Sequence, residues 1–187
     1  MGVLIGFIPF IVFELVAGLS MSLALWAGLA AAFVVGIRDF LHSKAVRPLD
    51  VGGMVLSLVM ALFTGIVEPQ LKEPTTRLVI DCGFLLMAAV SLIRRDPITL
   101  GYAREWAPQE AWMQPAFLRA NWLVTAVWTT AFAVMTLFDG IANFDNTFSQ
   151  TIEIAACLAA LGVAIVFTAR YRALSPGPVR RPAALRW

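Results

Sequence analysis

Charge is what this sequence has least of. Only 14% of its 187 residues are Asp, Glu, Lys or Arg, about half the density of an average globular chain. That shortage, with 60% of residues hydrophobic, excludes an ordinary soluble domain and excludes disorder. Histidine and cysteine are equally scarce. One His, His42, cannot supply paired haem ligands, and two Cys, Cys82 and Cys157, lie inside apolar runs with no disulfide framework and no metal-ligand spacing. A Ser or Cys nucleophile would need a base beside it, and the lone imidazole is far from both thiols in sequence. There is no glycine-rich phosphate loop, and a net charge of +2 on so apolar a chain is no nucleic-acid signal. The residues therefore predict no catalytic group, no metal, no cofactor, no nucleic-acid partner and no identifiable small-molecule substrate.

What is abundant is apolar length. A helix crossing about 30 Å of hydrocarbon needs roughly 17 to 25 mostly apolar residues, because backbone polar groups cannot stay unpaired in lipid. Six segments approach that requirement: Val3 to Leu19, Met21 to Ile37, Val51 to Val67, Leu78 to Ile93, Trp122 to Phe138 and Thr151 to Phe167. The pattern predicts an all-α, polytopic transmembrane bundle over residues 1–172, six spans arranged as three hairpins, followed by a basic, proline-containing tail at 173–187. Gly18, Ser20 and Ser22 supply the first turn. Pro69 ends the third span at Glu68, Pro74 and Thr75 open the fourth, and Pro115 suits the first turn of the fifth. Thr147 with Gln150 three residues on reads as a capping box for the sixth. No basic residue precedes Val3 and no small-residue cleavage site follows the first apolar run, so the N-terminal segment reads as retained. Gly2 and Gly6 read as a small-residue packing face.

Twelve of the 14 basic residues fall after the even-numbered spans: Arg38, Lys44 and Arg47; Arg94, Arg95, Arg104 and Arg119; and Arg170, Arg172, Arg180, Arg181 and Arg186. Only Lys72 and Arg77 lie on the other side. Positive-inside asymmetry of this size predicts both termini in the cytoplasm, with the tail drawn to anionic headgroups.

Against so apolar a background, Glu14 stands out. A carboxylate within a span must face the bundle interior, a wet cavity or a partner. Asp81 and Glu153 fall near the outward ends of the fourth and sixth spans, so the three acids could share one region, with Lys72 or Arg77 as counter-charge. Such a cluster could bind a cation or pass protons. The competing reading keeps Asp81 and Glu153 hydrated in first helical turns, where they favour the helix dipole, and makes Glu14 an interhelical hydrogen-bonding group. Pro9 reads as a packing kink.

The loop at 94–121 is the other distinctive feature. Trp106, Met113 and Phe117 recur at helical spacing, Trp112 lies among them, and Arg104, Glu105, Glu110 and Arg119 are interleaved, although Pro108 and Pro115 interrupt any continuous helix. An amphipathic segment of this kind lies along the headgroup boundary or docks another protein.

Several of these residues form a pattern. Phe7-x-Pro9-x-x-x-Phe13 in the first span, the basic turn before Pro97, and Asn121 followed by Trp128 and Phe132 resemble the intracellular septation protein A family, over about residues 3 to 172. The resemblance implies a bacterial inner-membrane protein acting in envelope maintenance, elongation or division through other membrane proteins or self-association, without an established reaction. Two alternatives accompany that expectation: a small ion-coupled transporter using Glu14, Asp81 and Glu153, and an accessory subunit of a larger membrane assembly.

Overall fold

Apolar runs that close their backbone hydrogen bonds internally become helices here. The computed structural model describes residues 7–43, 48–67, 73–104, 107–145 and 147–174, with no strand among them. The helices are α1 (Ile8–Ala17), α2 (Met21–Ser43), α3 (Pro48–Leu62, continued by a π-helical turn, Phe63–Val67), α4 (Glu73–Ile93), the short α5 (Leu100–Arg104), α6 (Pro115–Phe144) and α7 (Gln150–Leu174), with a 3-10 turn at Gln109–Ala111.

Four stretches are long and apolar enough to cross a bilayer: Met21–Arg38, Pro74–Ile93, Pro115–Phe144 and Gln150–Tyr171. Ile8–Ala17 and Val51–Val67 are shorter, so the described helices give four full spans where six were expected. Gly2 and Gly6, Glu68, Pro69, Lys72, Glu105, Trp106 and the tail from Ser175 onward lie outside the described residues, as does the side chain of His42. Exposure departs from that of a water-soluble fold, with many large apolar side chains outside and several acids inside. Leu86 and Val163 are 65% and 66% exposed, whereas Asp81 and Asp139 are 0% and 1% exposed. Leucine outside and aspartate inside is the distribution that lipid imposes, and the chain is a helical membrane protein.

Side-chain hydrogen bonds and ring stacks fix the register. At one end of the α4–α6 pair the Thr75 hydroxyl bonds the Asn143 side chain; at the other, just past α4, the Thr99 hydroxyl donates to the Asn121 carbonyl at 3.0 Å and Thr125 pairs with Thr99 at 2.9 Å. Low residue numbers in α4 thus face high ones in α6, so the two helices are antiparallel. Along α6 and α7, Trp128 Nε1 donates to Thr168 Oγ1 at 3.1 Å while the Cys157 thiol donates to Asp139 Oδ1 at 3.7 Å, an antiparallel pairing again. Helix α1 packs on α2 over small residues. Ala24, Gly28 and Ala32 share one buried face, and a Cβ on Gly28 would stand 3.2 Å from Phe13 Cβ and 3.5 Å from the Pro9 carbonyl. Pro9 lies in the first turn of α1, where no helical hydrogen bond needs its missing N–H, so the expected kink gives way to an ordinary helix start.

Helix α4 ends at a left-handed residue that is not glycine: Arg95 has φ 58°. Its N–H donates to the Leu92 carbonyl at 3.1 Å and that of Asp96 to Ser91 at 3.0 Å, which satisfies two end carbonyls before Pro97 turns the chain. The expected capping box at α7 does not form. The Ser149 carbonyl accepts from the Ile152 and Glu153 N–H groups, while Thr147 is captured by Asp145, whose Oδ1 accepts its N–H at 2.9 Å and its hydroxyl at 2.6 Å.

Candidate functional site

Four carboxylates meet in this bundle. Glu14 comes from α1, Asp81 from α4, Asp139 from α6 and Glu153 from α7, and all four are buried, as is the Arg77 guanidinium of α4. Arg77, Asp139 and Glu153 act electrostatically on Glu14, and Glu14, Asp139 and Arg77 act on Asp81. Asp139 is the hub: its carboxyl group lies within hydrogen-bonding reach of Asp81, Cys157 and Glu153. Five of the buried polar atoms have no hydrogen-bond partner among the described residues: Glu14 Oε1, Arg77 Nη2, both Asp81 oxygens and Asp139 Oδ2. Buried polar groups are ordinarily paired, so a concentration of orphans at one place marks a site under chemical tension.

Helix direction explains why these residues meet. Arg77 and Asp81 lie four apart near the start of α4 and so share a face. Asp139 lies near the end of the antiparallel α6, and Glu153 in the first turn of α7. All therefore come to the same end of the bundle. The convergence expected of Glu14, Asp81 and Glu153 is present, with Arg77 as the counter-charge. The hydrated first-turn reading of Asp81 and Glu153 is not what the structure shows. Asp81 is eight residues into α4, about 12 Å along its axis, and both side chains are sealed from solvent. Asp139 was not anticipated, since Asp139 to Gln150 reads as a loop; α6 continues to Phe144 and carries Asp139 inside. The signal that could have found it is its spacing from Trp128, Phe132 and Met135, the buried stripe of α6. No group of three Asp, Glu, His or Cys side chains among the described residues converges closely enough to hold a metal ion.

Three residues of the family-like pattern, Phe7, Trp128 and Phe132, pack against one another. Phe7 stacks on Trp128 with ring centroids 3.6 Å apart, Phe10 meets Phe132 edge-on at 5.1 Å, and Phe84 stacks on Phe132 at 5.5 Å. Pro9, Phe13 and Pro97 are buried. Asn121 is buried too, its amide donating to the Phe117 carbonyl at 2.8 Å. Phe7, Trp128 and Phe132 thus form, with Phe10 and Phe84 from outside the pattern, one aromatic core joining α1, α4 and α6, while Pro97 and Asn121 lie at the end away from the acids.

The amphipathic loop is broken into pieces rather than continuous, because Pro108 and Pro115 each lack the N–H a helix interior requires. The Arg104 guanidinium lies 5.6 Å from the centre of the Trp112 ring, whose Nε1 donates to the Ala107 carbonyl at 3.1 Å. Met113 is exposed and Phe117 half-buried. Of the expected docking residues, then, Arg104 and Trp112 pair with each other, Met113 projects alone, and Glu105 and Trp106 are among those outside the description.

At the turn leading to α7, the hydroxyl and N–H of Thr147 hold the Asp145 carboxyl below the usual carboxylate range. The stability this adds is complete above the unfolded value of about 3.9 and is lost as pH falls through the lowered folded value. Thr147→Val is expected to move the Asp145 titration to higher pH, measured by carboxyl NMR in detergent micelles; an unmoved titration would mean that the hydroxyl contributes nothing.

Comparison with protein-family models, with curated proteins and with solved structures yields no significant match for this chain.

Proposed function

We propose that this is a small, non-enzymatic transporter whose working part is the Glu14–Arg77–Asp81–Asp139–Glu153 cluster, carrying protons or another cation across the membrane. The observation that carries the reading is the meeting of four buried carboxylates from four helices around one guanidinium. Ionised side chains within a bilayer are expensive and are characteristic of ion and proton pathways. A structural ion pair would need one acid for one arginine. Four buried carboxylates stand against the one buried guanidinium described among them, and that excess of acids fits a site whose occupancy changes.

The finer topology belongs to the same proposal: six crossings in three hairpins, both termini cytoplasmic, in a bacterial inner membrane. The arginine distribution supports it, and α1 and α3 are the two crossings that the described helices do not complete. With that orientation the acids lie in the outward half of the bundle.

In proteoliposomes, flux driven by a proton or sodium gradient is expected to collapse in Glu14→Gln to the rate of protein-free vesicles. Flux equal to the parent's would reject the assignment.

A second reading is favoured by a separate observation. Phe7, Trp128 and Phe132, three of the residues that resemble septation protein A, pack in one aromatic core, which supports an envelope protein that works through membrane partners or self-association. Under it, the exposed Met113 and the Arg104–Trp112 pair form a partner-facing surface, and the acids serve only to tie α1, α4, α6 and α7 together. Undiminished partner co-purification in Trp112→Ala and Met113→Ala would remove that surface.

A further inference from the structure

We propose that Asp81, Asp139 and Glu153 form a proton relay centred on Asp139, so that the species handled by the cluster is a proton and not a metal cation. The inference rests on the reading of the cluster as a transport site and names its substrate.

Three carboxyl groups, one each from α4, α6 and α7, lie in a chain, with Asp139 within hydrogen-bonding reach of both others. Ionised carboxylates only accept hydrogen bonds. A carboxyl-to-carboxyl contact closes only when one partner carries a hydrogen, and both Asp81 oxygens and Asp139 Oδ2 find no donor among the described residues. The other oxygen of Asp139 already accepts from the Cys157 thiol, which leaves Oδ2 to meet the neighbouring acids. A metal ion is a poor substitute, because no three acid, His or Cys side chains in the described residues converge on one point and a positive charge already stands in the cluster.

Arg77 is the independent pointer. Its side chain is 3% exposed, it acts on Glu14, Asp81 and Asp139 alike, and its Nη2 has no hydrogen-bond partner among the described residues. With Asp139 ionised opposite Arg77, and with Asp81 and Glu153 each donating a hydrogen to Asp139, the carboxyl contacts close and that pair is neutral. Glu14, which Arg77, Asp139 and Glu153 face, is the remaining acid and the neighbour of Asp81. Each hop breaks one O–H bond and forms another: Asp81 first gives its proton to the neighbouring Glu14 carboxylate, Asp139 then takes the Glu153 proton and passes it to the vacated Asp81, and Glu153 is left ionised to take up the next proton. No electron changes hands and no further reactant is required. The relay runs from the first turn of α7 at the helix end to a point two turns inside α4.

Infrared spectroscopy of the full chain in lipid vesicles tests this directly, since a protonated carboxyl group absorbs apart from an ionised one and shifts in heavy water. At neutral pH the parent is expected to show protonated carboxyl bands, reduced by about half in Asp81→Asn and in Glu153→Gln, as expected of two donor groups. Adding sodium, potassium or calcium chloride is expected to leave the bands unchanged. Absence of such bands at neutral pH, or their loss on adding any of these cations, overturns the relay; this ion titration uses only the parent and so survives variants that fail to fold. Intact bands without proton-driven flux would remove the transport reading and keep the relay. Sodium-driven flux without the bands would do the reverse.

Discussion

Arg77→Ala is expected to destabilise the bundle by about 3–5 kcal/mol, the cost of removing one partner from a buried charged group. Among the described residues Arg77 is the cation that acts on Glu14, Asp81 and Asp139, and its side chain is buried. Without it the cluster keeps four acids and loses the guanidinium that faces three of them. Acidification should reduce the deficit, because added protons neutralise the acids that the guanidinium had balanced. Arg77→Lys keeps the charge but not the planar fork and should fall between parent and alanine. Thermal unfolding in detergent, followed by circular dichroism across a pH series, gives the measurement. A deficit below about 0.5 kcal/mol, the range of ordinary surface substitutions, would mean that the guanidinium balances nothing.

Trp128→Ala should cost a similar amount, about 3–5 kcal/mol, for a different reason. Its indole is fully buried, lies face to face with Phe7, and donates to Thr168. Alanine opens a void at the junction of α1, α6 and α7 and removes the ring on which Phe7 rests. In lipid the loss falls on packing and on the hydrogen bond rather than on expulsion of water. Trp128→Phe keeps a stacking surface and gives up the hydrogen bond, so its cost should be near 1 kcal/mol. Thr168 tolerates that loss because its hydroxyl still donates to the Ala164 carbonyl at 2.7 Å. Equal midpoints for Trp128→Ala and Trp128→Phe would show that the ring face carries no weight.

The sequence made the lipid environment legible because apolar run length answers to backbone chemistry alone. It also made Glu14 legible, since a lone acid amid leucine and valine has few explanations. Asp139 was hidden by its neighbours. Asp-Gly-Ile-Ala-Asn-Phe-Asp-Asn reads as polar punctuation, and only the antiparallel register with α4 and α7, held by Thr75 with Asn143 and by Trp128 with Thr168, buries its first residue and exposes its last described one. The capping-box misreading has the same origin. Thr147 has a suitable acceptor two residues before it as well as a helix ahead of it, and Asp145 wins because the closure is more local. Glu153 illustrates a limit of helix-end rules: the first turn of a helix favours an acid whether it points to water or inward, and the direction is set by what packs against that turn.

The fit of Gly28 against Phe13 and Pro9 has a mechanical consequence. The space between the two helices is too tight to take even one added methyl group without a shift, so turning α1 about its own axis to swing the Glu14 carboxyl out of the acid cluster drives its side chains into α2. Movement of Glu14 is thereby coupled to α2, a helix that contributes none of the four acids.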